Sequence, residues 1–444
     1  MTPTRRAVLK TSVLGATLAL PFVRGAHAAG KLRAAFWDHP VPGVQPAMKE
    51  LCMAWAERER VELALDFVSA NGDRNLILIA EEAQARAGHD IMAMPSWYAA
   101  AQADKLEPVD DVMAALIARN GGVNAATAYL GRQRGTWIAV PRSAGGPLLA
   151  CCARIDMLRN FADLDVTRMY PAGGAPEADL VDKWDWDAFL TAAKGCFAGA
   201  CPFGLPLGTT SDSVDWVGTV FASHGAELVD RDGNITVRSE PVEQVLDWFR
   251  RLARVLPVGV HAWNNTSNNR HLISGRGALI MNPPSAWIVA KRDMPRIAEK
   301  LWTFPPPKGP KGRFEAGIPW YWGIWNFSAN KSAAKSLLLF LSRRAAVEAL
   351  IEASQGFDIP AYENFLDFAA WREQEPPKGT LSHYPPRGDV IVSIAGAPAP
   401  APIATQIYTQ ATMTKLVTRA TQGGQSNRQA IAWAAHELEG FMRI

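Results

Sequence analysis

The chain has 444 residues, with 46 Lys and Arg against 43 Asp and Glu, so its formal net charge is +3. This near balance disfavours nucleic-acid binding, because a protein that contacts the phosphate backbone needs a concentrated basic face. A single hydrophobic core stops growing at roughly 250–300 residues, so a chain of this length is expected to form two lobes.

The N-terminus has the pattern of an export signal. Arg5 and Arg6 precede an apolar stretch at 11–23 that is diluted by Thr, Ser and Gly and followed by Ala-His-Ala at 26–28. The pattern is similar to a twin-arginine signal cleaved after Ala28, and the stretch is too short for a membrane span of about 20 residues. Removing residues 1–28, which hold four basic and no acidic side chains, changes the formal net charge to −1. We therefore expect a periplasmic protein. Because no cysteine follows the cleavage site, we expect no lipid anchor.

The five cysteines are an odd number, so at least one is expected to remain unpaired within the chain. Cys196 and Cys201 could close a small loop. The adjacent Cys151 and Cys152 could bridge only with strain and are interpreted as small apolar residues of a strand. No cysteine has a histidine at metal-ligand spacing, so the sequence predicts neither a metal nor another cofactor.

The first elements after the leader alternate between strand and helix patterns. Strands are predicted at 31–37, 61–68 and 90–94, with a helix starting near Pro46 and another at 75–86. This order predicts a mainly parallel sheet in a doubly wound α/β lobe.

The same alternation continues further along the chain. Strands are predicted at 136–140 and 148–153, helices at 186–194, 213–223 and 242–254, a stiff exposed turn at 305–312, and two helical patterns between 404 and 443. The segment 395–402 is rich in alanine and proline.

Several short motifs occur in a fixed order along the chain. They are Ala87-Gly88-His89-Asp90-Ile91, Leu106-Glu107-Pro108-Val109-Asp110, Gly135-Thr136-Trp137-Ile138-Ala139-Val140-Pro141, Arg154-Ile155-Asp156-Met157-Leu158, Trp184-Asp185-Trp186-Asp187, Gly275-Arg276-Gly277-Ala278-Leu279-Ile280-Met281, Trp287, Phe304-Pro305-Pro306-Pro307-Lys308-Gly309 and Asn330-Lys331-Ser332-Ala333-Ala334-Lys335. As an ordered set they resemble the sugar-binding extracellular receptors of bacterial ABC importers (solute-binding protein family 1, the maltose-binding-protein-like kind). One departure is Cys151-Cys152-Ala153, where many relatives place an aromatic residue before the basic one.

The resemblance implies a two-lobed α/β periplasmic-binding-protein fold. Each lobe is expected to be a mainly parallel sheet flanked by helices, with a ligand cleft between the lobes that closes on binding. The expected first lobe is 29–141 plus 282–328, and the expected second lobe is 142–281 plus 329–444.

A cleft between α/β lobes is lined by the loops at the carboxyl ends of strands. The candidate ligand-binding residues at such positions are Trp37, Asp38, Asn71, Ser96, Trp97, Arg142, Asp215, Trp216, Asn282, Trp287, Trp320 and Tyr321. They combine flat rings for the apolar faces of a sugar with amide and carboxylate groups for its hydroxyls. Arg142 could instead form a structural salt bridge, and the run 320–325 could equally be a buried strand.

The resulting hypothesis is a monomeric substrate-binding protein that captures a sugar or sugar-like polyol and delivers it to an ABC permease. No nucleotide loop, nucleophile elbow or metal-binding helix motif predicts an enzyme. Three alternatives remain. The first is a receptor for a polyamine, a metal chelate or an organic anion, and the second is an exported carbohydrate-acting enzyme. The third is a cofactor-bearing redox subunit, which no cofactor motif supports.

Overall fold

The computed structural model of the protein describes residues 30–70 and 73–443. The predicted export signal at 1–28 lies outside the described residues. The strands are β1 (Lys31–Trp37), β2 (Glu62–Val68), β3 (Ile91–Pro95), β4 (Arg132–Gln133), β5 (Thr136–Trp137), β6 (Val140–Pro141), β7 (Cys151–Arg154), β8 (Leu279–Met281), β9 (Leu301–Phe304), β10 (Lys308–Gly309), β11 (Gly312–Ala316), β12 (Trp320–Ile324) and β13 (Val390–Ser393). The helices are α1 (Val44–Glu59), α2 (Arg74–Ala85), α3 (Trp97–Ala101), α4 (Asp110–Asn120), α5 (Ala125–Gly131), α6 (Ile155–Ala162), α7 (Val166–Met169), α8 (Ala178–Lys183), α9 (Trp186–Ala198), α10 (Ser211–His224), α11 (Glu240–Ala253), α12 (Ser267–Ile273), α13 (Ser285–Asp293), α14 (Pro295–Ala298), α15 (Lys331–Leu341), α16 (Arg344–Ala353), α17 (Ala370–Glu373), α18 (Ala401–Thr409), α19 (Thr412–Thr421) and α20 (Asn427–Phe441).

The first lobe is built on a five-stranded sheet with the order β2-β1-β3-β12-β6. Strand β1 runs parallel to β2 and β3, as the alternation of strands and helices predicted, and β12 returns antiparallel between β3 and β6. Helix α1 buries Met48, Cys52 and Trp55, which recur at helical spacing. One apolar stripe of α1 therefore packs inward, and α15 and α16 pack beside it.

The second lobe contains a three-stranded sheet with the order β8-β7-β9. Strand β7 runs antiparallel to both neighbours, whereas the sequence analysis expected mainly parallel strands in each lobe. All four residues of β7 are buried, including Cys151 and Cys152. The two cysteines therefore lie in a buried strand, as interpreted from the sequence.

The lobe boundaries differ from the predicted ones in two places. Strand β9 pairs with β7, so this part of 282–328 belongs to the second lobe. Helices α15 and α16 pack on α1, so this part of 329–444 belongs to the first lobe. The backbone groups that pair strands are the same in every residue type, and an apolar pattern therefore does not identify the sheet that a segment joins.

Backbone segments at 142–150, 317–319 and 354–360 connect the lobes and are hydrogen-bonded to one another. Ile359 N donates to Gly146 O at 3.0 Å, and Ile318 N donates to Pro147 O at 3.0 Å. A Cβ atom on Gly146 would lie 2.1 Å from Ile318 O. Only glycine allows the backbones to approach this closely at the junction.

Two further segments depart from the sequence predictions. The proline-rich stretch at 305–312 leads into a β10–β11 hairpin rather than forming only an exposed turn. Three helices, α18 to α20, follow residue 400 where two helical patterns were predicted. None of the helices in the described part of the chain has the length and apolar character needed to cross a bilayer.

Candidate functional site

Two predicted aromatic residues meet where the first lobe faces the connecting segments. Trp37 ends β1 and Trp320 begins β12, and their rings stack with centroids 4.3 Å apart and an interplanar angle of 12°. The guanidinium carbon of Arg142 lies 5.9 Å from the centroid of the Trp37 ring. Because Trp37 is only half-buried, part of this pair remains accessible.

Arg142 forms a buried ion pair with a residue that the sequence analysis did not select. Its Nη1 lies 2.8 Å from Asp358 Oδ2, and His39 Nε2 lies 3.2 Å from the same oxygen. Burial would raise the pKa of Asp358, but the charge of Arg142 and the hydrogen bond from His39 outweigh it and hold the pKa below its ordinary value. His39 Nδ1 accepts from Val41 N, so Nε2 carries the proton that faces the carboxylate.

A small cavity lies at the junction of the connecting segments. Its volume is about 70 Å³, and its lining includes Arg142, Trp320 and residues of the segments 145–148, 317–319 and 359–363. Sites for small molecules usually enclose roughly 300–1,000 Å³. The cavity is therefore smaller than a ligand of sugar size requires.

Trp97 lies in the contact between the two lobes. It follows Ser96, whose φ of +38° is a conformation that non-glycine residues adopt only at a cost. The Trp97 ring is fully buried. Its centroid lies 5.5 Å from that of Tyr129 and 6.4 Å from that of Tyr408 on α18. The strained residue thus directs an indole of the first lobe against the C-terminal helices.

A network of amide and carboxyl groups lies at strand and helix ends of the second lobe. Asn282 Nδ2 donates to Asn269 Oδ1 at 2.7 Å, and Asn269 Nδ2 donates to Ser285 Oγ at 2.9 Å. The backbone N of Asn269 donates to Asn268 Oδ1, and Asn268 Nδ2 donates to Asp212 Oδ2 at 3.3 Å. These bonds hold planar groups of the kind that pair with hydroxyls in fixed orientations.

Two buried carboxyl groups of α10 lie beside this network. Burial raises the pKa of Asp212 to about 7, although a hydrogen bond from Asn268 opposes the shift. The pKa of Asp215 is raised well above its ordinary value by burial and by the neighbouring Asp212, against the hydrogen bond from Tyr408 at 3.2 Å. A group that enters here therefore meets two carboxyls that resist ionisation.

The remaining candidate residues lie elsewhere. Trp216 is fully buried inside the second lobe, where its Nε1 donates to Pro206 O at 2.6 Å and its ring packs on Phe249. Tyr321 is buried in β12 and donates to Thr127 O at 2.8 Å. Trp287 is buried and donates to Pro376 O at 2.7 Å. Asp38 is exposed beside Trp37, and Asn71 lies outside the described residues.

Among the residues that contact Trp37, Trp97 or Arg142, sequence reasoning missed four, namely His39, Tyr129, Asp358 and Tyr408. His39 follows Trp37 and Asp38 directly, and that proximity was an available signal. The other three come from distant parts of the chain, so their partners are visible only in the fold. Among the described residues, no group of three or more His, Cys, Asp and Glu side chains is arranged to hold a metal ion.

Two lobes joined by hydrogen-bonded connecting segments, with Trp37, Trp320 and Arg142 at the junction, are the architecture of a two-lobed binding protein. The description "bacterial extracellular solute-binding protein" fits the chain over residues 79–376, and the chain belongs to that family. A comparison with curated protein sequences gave no match.

Solved structures with the same fold include the following three proteins. The maltose-bound MalE3 protein of T. maritima is 19% identical, with a TM-score of 0.68 over 92% of this chain and 99% of that one. The GacH receptor of Streptomyces glaucescens, solved unliganded and with acarbose, is 16% identical, with a TM-score of 0.68 over 93% and 98%. A sugar transporter of Arthrobacter chlorophenolicus with bound laminaribiose is 12% identical, with a TM-score of 0.69 over 92% and 98%. At these identities the similarity establishes the fold.

Proposed function

We propose that the protein is the periplasmic substrate-binding component of an ABC importer and captures a sugar or sugar-like polyol. The observation that carries the proposal is the stacked Trp37–Trp320 pair beside Arg142 at the junction of the lobes. Flat rings suit the apolar faces of a sugar, and a guanidinium donates hydrogen bonds to hydroxyls. The similar folds that hold maltose, acarbose or laminaribiose support the same ligand class.

The proposed mechanism is closure of two lobes around the ligand. Contacts from both lobes stabilise the closed form, which the membrane permease then recognises. The amide network at Asn269 and Asn282 supplies the second lobe's contacts. We further propose export by the twin-arginine route, no lipid anchor, a monomeric state and no catalytic activity.

A thermal-shift screen with mono-, di- and oligosaccharides, polyols and their phosphates tests the ligand class. A ligand at 100 times its Kd stabilises the folded state by about 2.7 kcal/mol, so the true ligand raises the melting temperature by several degrees. If no sugar or polyol raises it, the proposed ligand class is wrong. Release of sugar from a glycoside by the purified protein would instead identify an enzyme.

The binding site itself is tested with Trp37→Ala. We expect a tenfold or larger loss of affinity for the sugar found in the screen, because half of the stacked platform is removed. The matched control is Trp433→Ala on α20, where a half-buried indole lies under Arg419 in the second lobe. Equal losses of affinity in both variants would contradict the assignment.

The buried carboxyls favour a second candidate, a cationic ligand such as a polyamine. Asp212 and Asp215 lie one turn apart on α10, and an ammonium group that contacted them would stabilise their ionised forms. In the same screen, stabilisation by putrescine or spermidine and not by sugars identifies this alternative.

A further inference from the structure

The alanine- and proline-rich segment between β13 and α18 lies in the contact between the lobes. We define Ala395–Pro400 as the strap. At one end Ala395 packs on α10, since a Cβ atom on Gly218 would lie 2.7 Å from Ala395 Cβ. At the other end Pro400 Cγ lies 3.8 Å from the position of a Cβ on Gly233. Both ends of the strap are thus packed against the second lobe.

The strap's carbonyl groups are bonded to aromatic donors of the first lobe. Trp97 Nε1 donates to Ala395 O at 3.1 Å, and the Tyr129 hydroxyl donates to Ala399 O. Trp97 begins α3 and Tyr129 lies on α5, and both helices belong to the first lobe. These two bonds therefore connect one lobe to the other.

The contact is extended by packing on either side of these bonds. Helix α18 packs on α3, and the Trp97 ring lies between Tyr129 and Tyr408. Trp97, Ala395 and Ala399 are buried within one continuous apolar cluster that includes residues of both lobes. Separating the lobes exposes this cluster and breaks both hydrogen bonds, so the contact opposes opening.

From these contacts we propose that the strap is an internal latch that holds the lobes together in the absence of ligand. The hydrogen bonds from Trp97 and Tyr129 hold the first lobe against the strap, and the lobes can separate only when these bonds break. The latch depends on the proposed function in one respect only. If the protein binds a ligand between the lobes, the ligand enters after the hydrogen bonds to the strap break.

The test measures the distance between the lobes in ligand-free protein. Spin labels are attached to Ile77→Cys in the first lobe and Val258→Cys in the second, because both side chains are exposed. The native cysteines are buried, and burial raises the pKa of each thiol, so they react slowly with the labelling reagent. Pulsed electron paramagnetic resonance then gives the populations of short and long distances.

The decisive variant is Tyr129→Phe, which removes one hydroxyl and keeps the ring. Loss of one net hydrogen bond changes the ratio of open to closed forms about fivefold, so we expect the long-distance population to increase by that factor. The control is Tyr321→Phe, which removes a comparable bond to Thr127 O inside the first lobe and should leave the distances unchanged.

Trp97→Phe removes the other donor and gives an independent reading if Tyr129→Phe does not fold. If Tyr129→Phe and Trp97→Phe both give the same distance distribution as the native protein, the proposed latch is wrong. Because no ligand is present, this result is separate from the outcome of the sugar screen.

Discussion

Asp212→Asn should change the dependence of stability on pH. In the native protein burial raises the pKa of Asp212 from 3.8 to about 7, so the folded state binds this proton more tightly than the unfolded state does. A carboxyl with a raised pKa contributes stability that is fully present below pH 4 and is lost as the pH rises to 7.

The magnitude follows from the two pKa values. Each pH unit between them corresponds to about 1.4 kcal/mol, so ionisation of Asp212 costs on the order of 4 kcal/mol above pH 7. The amide of Asn has the shape of the carboxyl, keeps an oxygen to accept from Asn268 and does not ionise. It also removes the charge that raises the pKa of Asp215.

Urea unfolding followed by tryptophan fluorescence at pH 4, 6 and 8 measures the effect. We expect the variant to match the native protein near pH 4 and to exceed it by up to about 4 kcal/mol at pH 8. Asp232→Asn, which removes a carboxylate from an exposed turn, serves as the control. A difference between Asp212→Asn and the native protein that stays constant across the three pH values would refute this reasoning.

Three further substitutions are tested by urea unfolding at neutral pH. Trp216→Ala should lose about 3–5 kcal/mol, because it leaves a cavity inside the second lobe, and a neutral result would place this ring outside the core. Gly146→Ala should lose about 1–3 kcal/mol, since its Cβ would clash with Ile318 O, and unchanged stability would mean that the connecting segments separate freely. Asp358→Asn should lose about 3–5 kcal/mol by leaving Arg142 buried without its partner. Adding Arg142→Met should restore part of this loss, and a double variant less stable than Asp358→Asn would argue against an unpaired charge as the cause.

The sequence predicted the first five elements of the first lobe, β1 to β3 with α1 and α2, closely. Strand β1 occupies 31–37 as expected, and the helix predicted from Pro46 begins at Val44. These predictions succeed because the period of apolar residues is a local property that follows from which face a helix or strand buries. The order of motifs likewise led to the family that the comparisons establish.

Local patterns do not explain why two tryptophans that received the same sequence prediction have different surroundings. The sequence predicted both Trp97 and Trp216 beside strand ends, but Trp97 follows β3 and contacts the opposite lobe, whereas Trp216 lies within α10 and packs against Phe249 in its own lobe. A ring beside a strand end has the same sequence pattern in either position. Only the packing of the neighbouring helices determines which face it meets.

The sequence by itself determined the strand and helix periodicity, the division into two lobes and the types of residue at the strand ends. Tertiary structure alone decided that β9 joins the second sheet, that Arg142 pairs with Asp358, and that the strap lies against Trp97. Each of these contacts joins residues more than 140 positions apart. Hydrogen bonds and ion pairs act over a few ångströms, so such partners are specified only once the whole chain has folded.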